Sequence, residues 1–391
     1  MPKKPKPWLR KGRGWWVTIE GKQYALGTDK DDAYAEFHRL MTQPKERRQV
    51  SGKLFAGTAD DFLDFVAKNN AEATFAFYRD LLQKFCSLHP NLRIDQLRPF
   101  HVQKWVDGYG HLSKNSRRNH MRAVKRCVRW AKKMGYIDTN PIEDLELPGA
   151  ESREVCLTDA EYIELLRFAS PDSLKDLITV TWETGCRPQE SLIVRASHVD
   201  LENQRWIIPA SETKGERCAR VVYLTDEALF ITRKLMLSHP VGNLFCNSSG
   251  RPWTADTVNC AFDRIRQRMG KAVMAERGVT VPDDEVEAFV QTLKKTKMEK
   301  GVLREKRPAE LRTEARQKLT KRLAATLVPR YSLYALRHTW ATNALQRGVN
   351  SVTVAELMGH SDPSTLAKTY QHVSKNPKFM LAEAKRATAR A

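Results

Sequence analysis

The sequence predicts a multidomain, mainly helical chain: a small β-hairpin/helix N-terminal module, an all-α segment, and a mixed α+β (mainly α) domain over the remainder. Three observations predict it. Apolar residues recur at helical spacing over most of residues 58–145, polar linkers interrupt the pattern at 43–53 and 146–157, and paired strand patterns occur only at 15–26 and 205–224. At 391 residues, the chain is long enough for two or three domains with cores of their own.

Residues 1–14 carry Lys3, Lys4, Lys6, Arg10, Lys11 and Arg13 with no acid, and read as a basic arm. Trp15 to Glu20 reads as a strand, Gly21-Lys22 as its turn, and Gln23 to Leu26 as the return strand. Thr28 and Asp29 are candidate caps for a helix through Met41 that places Ala33, Phe37 and Met41 on one face. A module of this size is marginal alone. Its basic arm and aromatics favour a DNA-binding role for residues 1–45 over an ordered tail.

In the all-α segment, Thr58 with Asp61 resembles a capping box ahead of Phe62, Phe65 and Val66. Further helices are expected over Glu72–Ser87, Pro99–Val106 and Ser116–Met134. The last carries two stripes: Met121, Val124, Val128 and Ala131 are apolar, while Arg118, Arg122, Lys125, Arg129 and Lys132 form a cationic row without an acid. A solvated face and a DNA-facing helix both fit, and the charge of the chain favours the second. Asn140-Pro141 marks the approach of a boundary.

Past the second linker, Thr158 and Glu161 form a capping-box pattern, and a helix is expected over Leu174–Glu183. Strands follow at Arg205–Pro209 and Ala219–Leu224, then helices at Asp226–Leu237 and Ala255–Met269. Residues 270–329 differ in texture. They are rich in Lys, Arg and Glu, poor in large apolar residues, and set Asp283, Asp284, Glu285 and Glu287 ahead of a basic stretch. They read as an inserted, helix-prone and mobile excursion of unassigned function.

Composition narrows the chemistry. The 66 Lys and Arg against 46 Asp and Glu give a net charge of +20, an excess that attracts a polyanion. No run approaches the roughly 18 apolar residues of a membrane span, and the basic N-terminus lacks the apolar stretch of a secretory signal, so a cytoplasmic protein is expected. Seven scattered cysteines without a C-x-x-C pair point to reduced thiols, and no His, Asp or Glu cluster has metal-ligand spacing. Chemistry without metal or cofactor is the expectation.

Four segments hold the groups that side-chain cleavage of a phosphodiester needs. In Thr184-Gly185-Cys186-Arg187-Pro188-Gln189-Glu190, a glycine turn sets Arg187 before a helix begun by Pro188, with Glu190 one turn on. In Ser211-Glu212-Thr213-Lys214-Gly215-Glu216, Lys214 sits between two strands, where it is a solvated turn residue or an acid for a leaving oxygen. The third is Tyr334-Ala335-Leu336-Arg337-His338-Thr339-Trp340. The fourth runs from Leu357-Met358-Gly359-His360-Ser361 to Thr369-Tyr370-Gln371-His372.

Together these motifs resemble the tyrosine recombinase (phage integrase) family, lambda-integrase-like, over most of residues 155–375. TGCRPQE is similar to its first arginine box, LRHTWAT to its second, and LMGHSD followed by Tyr370 to its nucleophile box. The resemblance implies that Arg187 and Arg337 clamp the non-bridging oxygens of the scissile phosphate, that His360 donates to it, and that Lys214 protonates the departing 5′ oxygen. Glu190 supports the site. Tyr370 attacks phosphorus, leaving a 3′-phosphotyrosyl enzyme, with no metal or ATP.

Tyr334 stands where the family usually has histidine; a phenol donates a hydrogen bond but is a poor base near neutral pH. The resemblance also implies a core-binding (SAM-like) domain at 54–147, a catalytic domain at 153–391 broken at about 270–329, and an arm-type module at 1–45. Its partners are double-stranded DNA, further copies in a homotetramer on paired sites, accessory directionality or bending proteins, and no membrane. A type IB topoisomerase and a DNA-binding regulator that has lost catalysis are the alternatives weighed.

Overall fold

The computed structural model describes residues 6–10, 14–19, 22–42, 53–151, 155–213, 218–299, 301–360 and Leu381. It divides into two compact units, Met1–Ser152 and Arg153–Ala391.

The first unit opens with β1 (Trp8–Arg10), β2 (Gly14–Ile19) and β3 (Lys22–Gly27), an antiparallel sheet in that order. The expected hairpin is β2–β3. The stretch read as a basic arm supplies a third strand, because Trp8 pairs across from Trp16 and the Arg10 guanidinium lies 5.9 Å from the Trp16 ring centre. The helix α1 (Lys30–Thr42) is capped by Asp29, whose Oδ1 accepts from the amides of Asp31 (2.8 Å) and Asp32 (3.1 Å). Val17, Leu26 and Ala33 are buried beneath the sheet, with Phe37 against them.

Four helices follow: α2 (Phe55–Asn69), α3 (Glu72–Leu88), α4 (Pro99–Asp107) and α5 (Lys114–Lys133). Thr58 does not cap α2. The helix begins three residues earlier because Phe55, Ala59, Phe62 and Val66 form one continuous buried stripe. Thr58 lies inside it, fully buried, with its hydroxyl donating to the Leu54 carbonyl at 3.4 Å. On α5 the expected apolar stripe of Met121, Val124, Val128 and Ala131 is buried.

In the second unit, α6 (Asp159–Phe168) starts on the Thr158–Glu161 capping box, and α7 (Asp172–Thr184) and α8 (Pro188–Ile193) precede a sheet. The sheet orders β4 (Val199–Asp200), β5 (Arg205–Ile208) and β6 (Arg220–Tyr223) antiparallel, with Trp206 opposite Val222 and Ile208 opposite Arg220. Next come α9 (Asp226–Ser238) and α10 (Ala255–Glu276). Leu177, Ile178, Trp206, Val222, Phe245, Phe262 and Leu336 share one core, where each large apolar side chain contributes about 1.5–3 kcal/mol.

The helix-prone excursion is built of helices and one hairpin. Helix α10 continues through its start, and α11 (Asp283–Val290), a hairpin of β7 (Thr296–Glu299) and β8 (Val302–Glu305), and α12 (Pro308–Thr326) follow. Val286, Leu293, Leu311 and Ala315 make a small core of their own. A Cβ on Gly270 would fall 2.1 Å from the Ala324 carbonyl oxygen, so glycine is what lets α12 press against α10. The charges are mutually paired: Glu310 takes Arg304 (2.8 Å) and Lys297 (2.7 Å), Glu314 takes Lys306 (2.6 Å), and Arg312 reaches Glu287 (2.6 Å). A charged texture here reflects a lattice of ion pairs on a thin core.

Finally α13 (Leu333–Gln346) and α14 (Ser351–Leu357) are capped by Ser332 and Asn350 and pack through Ala341, Ala344, Val354, Ala355 and Met358. No helix among the described residues is long and apolar enough to cross a membrane.

Candidate active site

Helix α7 ends at Gly185, whose φ of 60° turns the chain back sharply. Any Cβ there would lie 2.5 Å from the Trp340 ring, and Trp340 Nε1 donates to the Glu183 carbonyl at 3.1 Å. The turn brings Arg187 to the start of α8, where Pro188 supplies the first helical residue. The backbone amide of Arg187 donates to Glu190 Oε2 (2.8 Å) and its Nη1 to Glu190 Oε1 (2.8 Å), while Nη2 donates to the Gly359 carbonyl. A buried carboxylate therefore holds both ends of Arg187.

Arg337 comes from α13 and is 4% exposed. Its Nη1 donates to the Gly185 carbonyl and its Nη2 to the Met358 carbonyl, both at 2.7 Å. Burial first, then the neighbouring Arg187, lowers its pKa to about 10, so it stays cationic at neutral pH. His360 follows α14, and its Nε2 lies 3.2 Å from Arg337 Nη2. Guanidinium nitrogens only donate, so Nε2 accepts and the ring proton sits on Nδ1, which is buried and unpartnered among the described residues. Burial, then Arg337, Arg187, Arg220 and His338, lowers the imidazole pKa to about 4.

Sequence reasoning missed Arg220. It is 8% exposed, and its Nε donates to Glu190 Oε1 at 3.0 Å, so Glu190 bridges two guanidiniums. Its only signal is a charge at a core-facing position of a strand, in step with the buried Val222 and Leu224. Two guanidiniums thus share one carboxylate, and a third, Arg337, lies against the neutral imidazole, which leaves an excess of positive charge. Such a site suits a phosphate.

Arg187, Glu190, Arg337 and His360, from three separated stretches of sequence, are thus brought together. Tyr334 lies one helical turn before Arg337 and is 58% exposed. Lys214 and Tyr370 lie outside the described residues. In the other unit, the cationic row of α5 splits. Arg118 donates to the Pro148 carbonyl (2.6 Å), Lys125 to those of Glu143 (2.9 Å) and Leu145 (2.6 Å), and Lys132 pairs with Glu143 (3.5 Å). Arg122 and Arg129 are exposed, as are Arg126 and Lys133, which the sequence reading left out.

This combination of a mainly helical fold with clustered arginines, a histidine and a bridging carboxylate suits a protein that acts on phosphodiesters. The phage integrase family matches residues 156–275 and 273–377. The chain belongs to the phage integrase family, the tyrosine recombinases, and is a site-specific DNA recombinase. It is 22% identical over 323 residues to "Tyrosine recombinase XerA" of Saccharolobus solfataricus, covering 82% of this chain and 81% of the relative. To "Tyrosine recombinase XerC-like" of Caldanaerobacter subterraneus it is 24% identical over 328 residues, 79% and 76% of the two chains. Its fold is similar to the Tn1549 transposon integrase in complex with transposon right end DNA (TM-score 0.58, 17% identity, 86% of this chain and 100% of that one). It is also similar to lambda integrase, solved as a tetramer bound to a Holliday junction (TM-score 0.54, 14% identity, 93% and 97%).

Proposed function

We propose that this recombinase cuts and rejoins DNA through Tyr370, with Arg187, Arg337 and His360 holding the scissile phosphate. The observation that carries this reading is the convergence of two arginines on one carboxylate-braced site beside His360. A phosphodiester is anionic and repels nucleophiles, and preorganised guanidiniums stabilise the charge that redistributes as phosphorus is attacked. On phosphate binding, Arg337 Nη2 turns from His360 to a non-bridging oxygen, and the imidazole presents a proton to another. Glu190 braces Arg187 and does not react. Lys214 protonates the departing 5′ oxygen. Transfer through a tyrosyl phosphate conserves the bond energy, so religation needs no ATP.

In this reading residues 54–147 form the core-binding domain, residues 1–45 an arm-type DNA-binding module, and residues 153–391 the catalytic domain. Of the cationic row on α5, Arg122 and Arg129 are left for phosphate contact, with the exposed Arg126 and Lys133 beside them, whereas Arg118, Lys125 and Lys132 tether the chain that follows. The working form is a homotetramer on paired duplex sites in the cytoplasm, with accessory directionality or bending proteins as further partners.

The test is covalent trapping. Labelled duplex flanking the gene is incubated with the protein in EDTA, with Tyr370→Phe as the control. An SDS-resistant, protease-sensitive adduct that disappears in the control supports the reading. Tight binding with no adduct, even on a nicked substrate, overturns it in favour of a DNA-binding regulator.

A further inference from the structure

Strand alternation assigns position 220 to an apolar residue, since Val222 and Leu224 on the same face are buried. An arginine there carries a desolvation penalty of several kcal/mol unless its donors are matched. They are. Nε donates to Glu190 Oε1 (3.0 Å), Nη2 to the Leu357 carbonyl (2.6 Å), and Nη1 to the carbonyls of Val221 and Glu356, the latter at 3.4 Å.

The two groups of partners belong to different halves of the site. Glu190 sets the place of Arg187 through its amide and its guanidinium. Glu356 and Leu357 end α14, where the last carbonyls lack helical partners, and the amide of His360 closes the same turn on the Ala355 carbonyl at 2.9 Å. Gly359 rests against Arg220 between them, and a Cβ on it would fall 2.7 Å from Arg220 Nε. One planar fork therefore bonds both the carboxylate that holds Arg187 and the helix end that delivers His360.

We infer that Arg220 is a positioning residue that fixes Arg187 and His360 relative to each other, so that both address one phosphate. It touches no reacting atom. This rests on the recombinase reading, so its test has one arm independent of activity.

In the full-length chain, Arg220→Lys keeps the charge but loses the fork, and Arg220→Met loses both. The first arm records the histidine-ring NMR signals of the free protein, assigning His360 by the signal lost in His360→Gln. The second measures single-turnover adduct formation on a nicked duplex, alongside duplex affinity. Arg220→Lys is expected to move the His360 signal and to slow adduct formation by roughly 10²-fold, the cost of an ångström-scale misplacement, with affinity changed less than about threefold. Adding Glu190→Gln to Arg220→Lys is expected to cost little more than the worse single change, because both act through one contact.

A His360 signal and adduct rate unchanged in Arg220→Lys would overturn the inference, as would losses that multiply in the double variant. Should Arg220→Met fail to fold, the lysine variant still decides. A wild-type protein without any adduct counts against the recombinase reading, and the NMR arm then judges Arg220 by itself.

Discussion

Acidification is the perturbation that reports most directly on the electrostatics of the site. The lowering of the His360 pKa from 6.5 to about 4 means that, between those values, the unfolded chain binds a proton the folded site refuses. Stability from this group is therefore fully present above pH 6.5 and is lost as the pH falls towards 4. At roughly 1.4 kcal/mol per pH unit the loss reaches about 2 kcal/mol at pH 5, and about 1 kcal/mol after discounting for the partly exposed ring. The assay compares urea unfolding of the second unit at pH 7.5 and 5.0 in the wild type and in His360→Gln, so that other titrations cancel. The wild type is expected to lose about 1 kcal/mol more than the variant. In parallel, the NMR titration of His360 is expected to have its midpoint near 4. Equal losses in the two proteins, or a midpoint near 6.5, would refute a ring desolvated and crowded by three guanidiniums.

Gly185→Ala adds a Cβ 2.5 Å from the Trp340 ring at a φ of 60°; thermal unfolding is expected to show a loss of about 1–3 kcal/mol, with cleavage reduced as Arg187 shifts. The cations of α5 separate into two kinds. Arg118→Met and Lys125→Met strip donors from the carbonyls of Pro148, Glu143 and Leu145, so they are expected to lower stability by about 1–3 kcal/mol each in urea unfolding. Arg122→Ala and Arg129→Ala are instead expected to leave stability alone and to reduce the slope of log affinity against log salt by about 0.9 per residue. Tyr334→His, which places an imidazole at the exposed position one turn before Arg337, is expected to raise the single-turnover cleavage rate and to shift its pH profile towards neutrality.

Chemistry was more legible than architecture. Arg187, Glu190, Arg337 and His360 sit in short motifs whose local geometry is written beside them: Gly185 turns the chain, Pro188 starts the helix, and Gly359 makes room for Arg220. Arg220 shows in sequence only as a charge out of step on a strand, because its meaning lies in partners 30 and 137 residues away, Glu190 and Leu357, which no local pattern joins. Thr58 misled because a polar cap signal was weighed above an apolar stripe that began at Phe55. The strand at Trp8 was hidden by the lysines and arginines around it, since no alternating apolar pattern announces the pairing of Trp8 with Trp16. The excursion misled for a related reason. Its charges look solvated in sequence and are paired across α11, the β7–β8 hairpin and α12 in space.

Two phenols compete for the central role, Tyr370 and the exposed Tyr334 beside Arg337, and peptide mapping separates them. The covalent adduct formed on a nicked duplex is digested with nuclease and trypsin, and the nucleotide-bearing peptide is sequenced by mass spectrometry. The peptide of residues 369–375, TYQHVSK, is predicted to carry the nucleotide on Tyr370. A nucleotide on residues 331–337, YSLYALR, or on any other peptide would contradict the account.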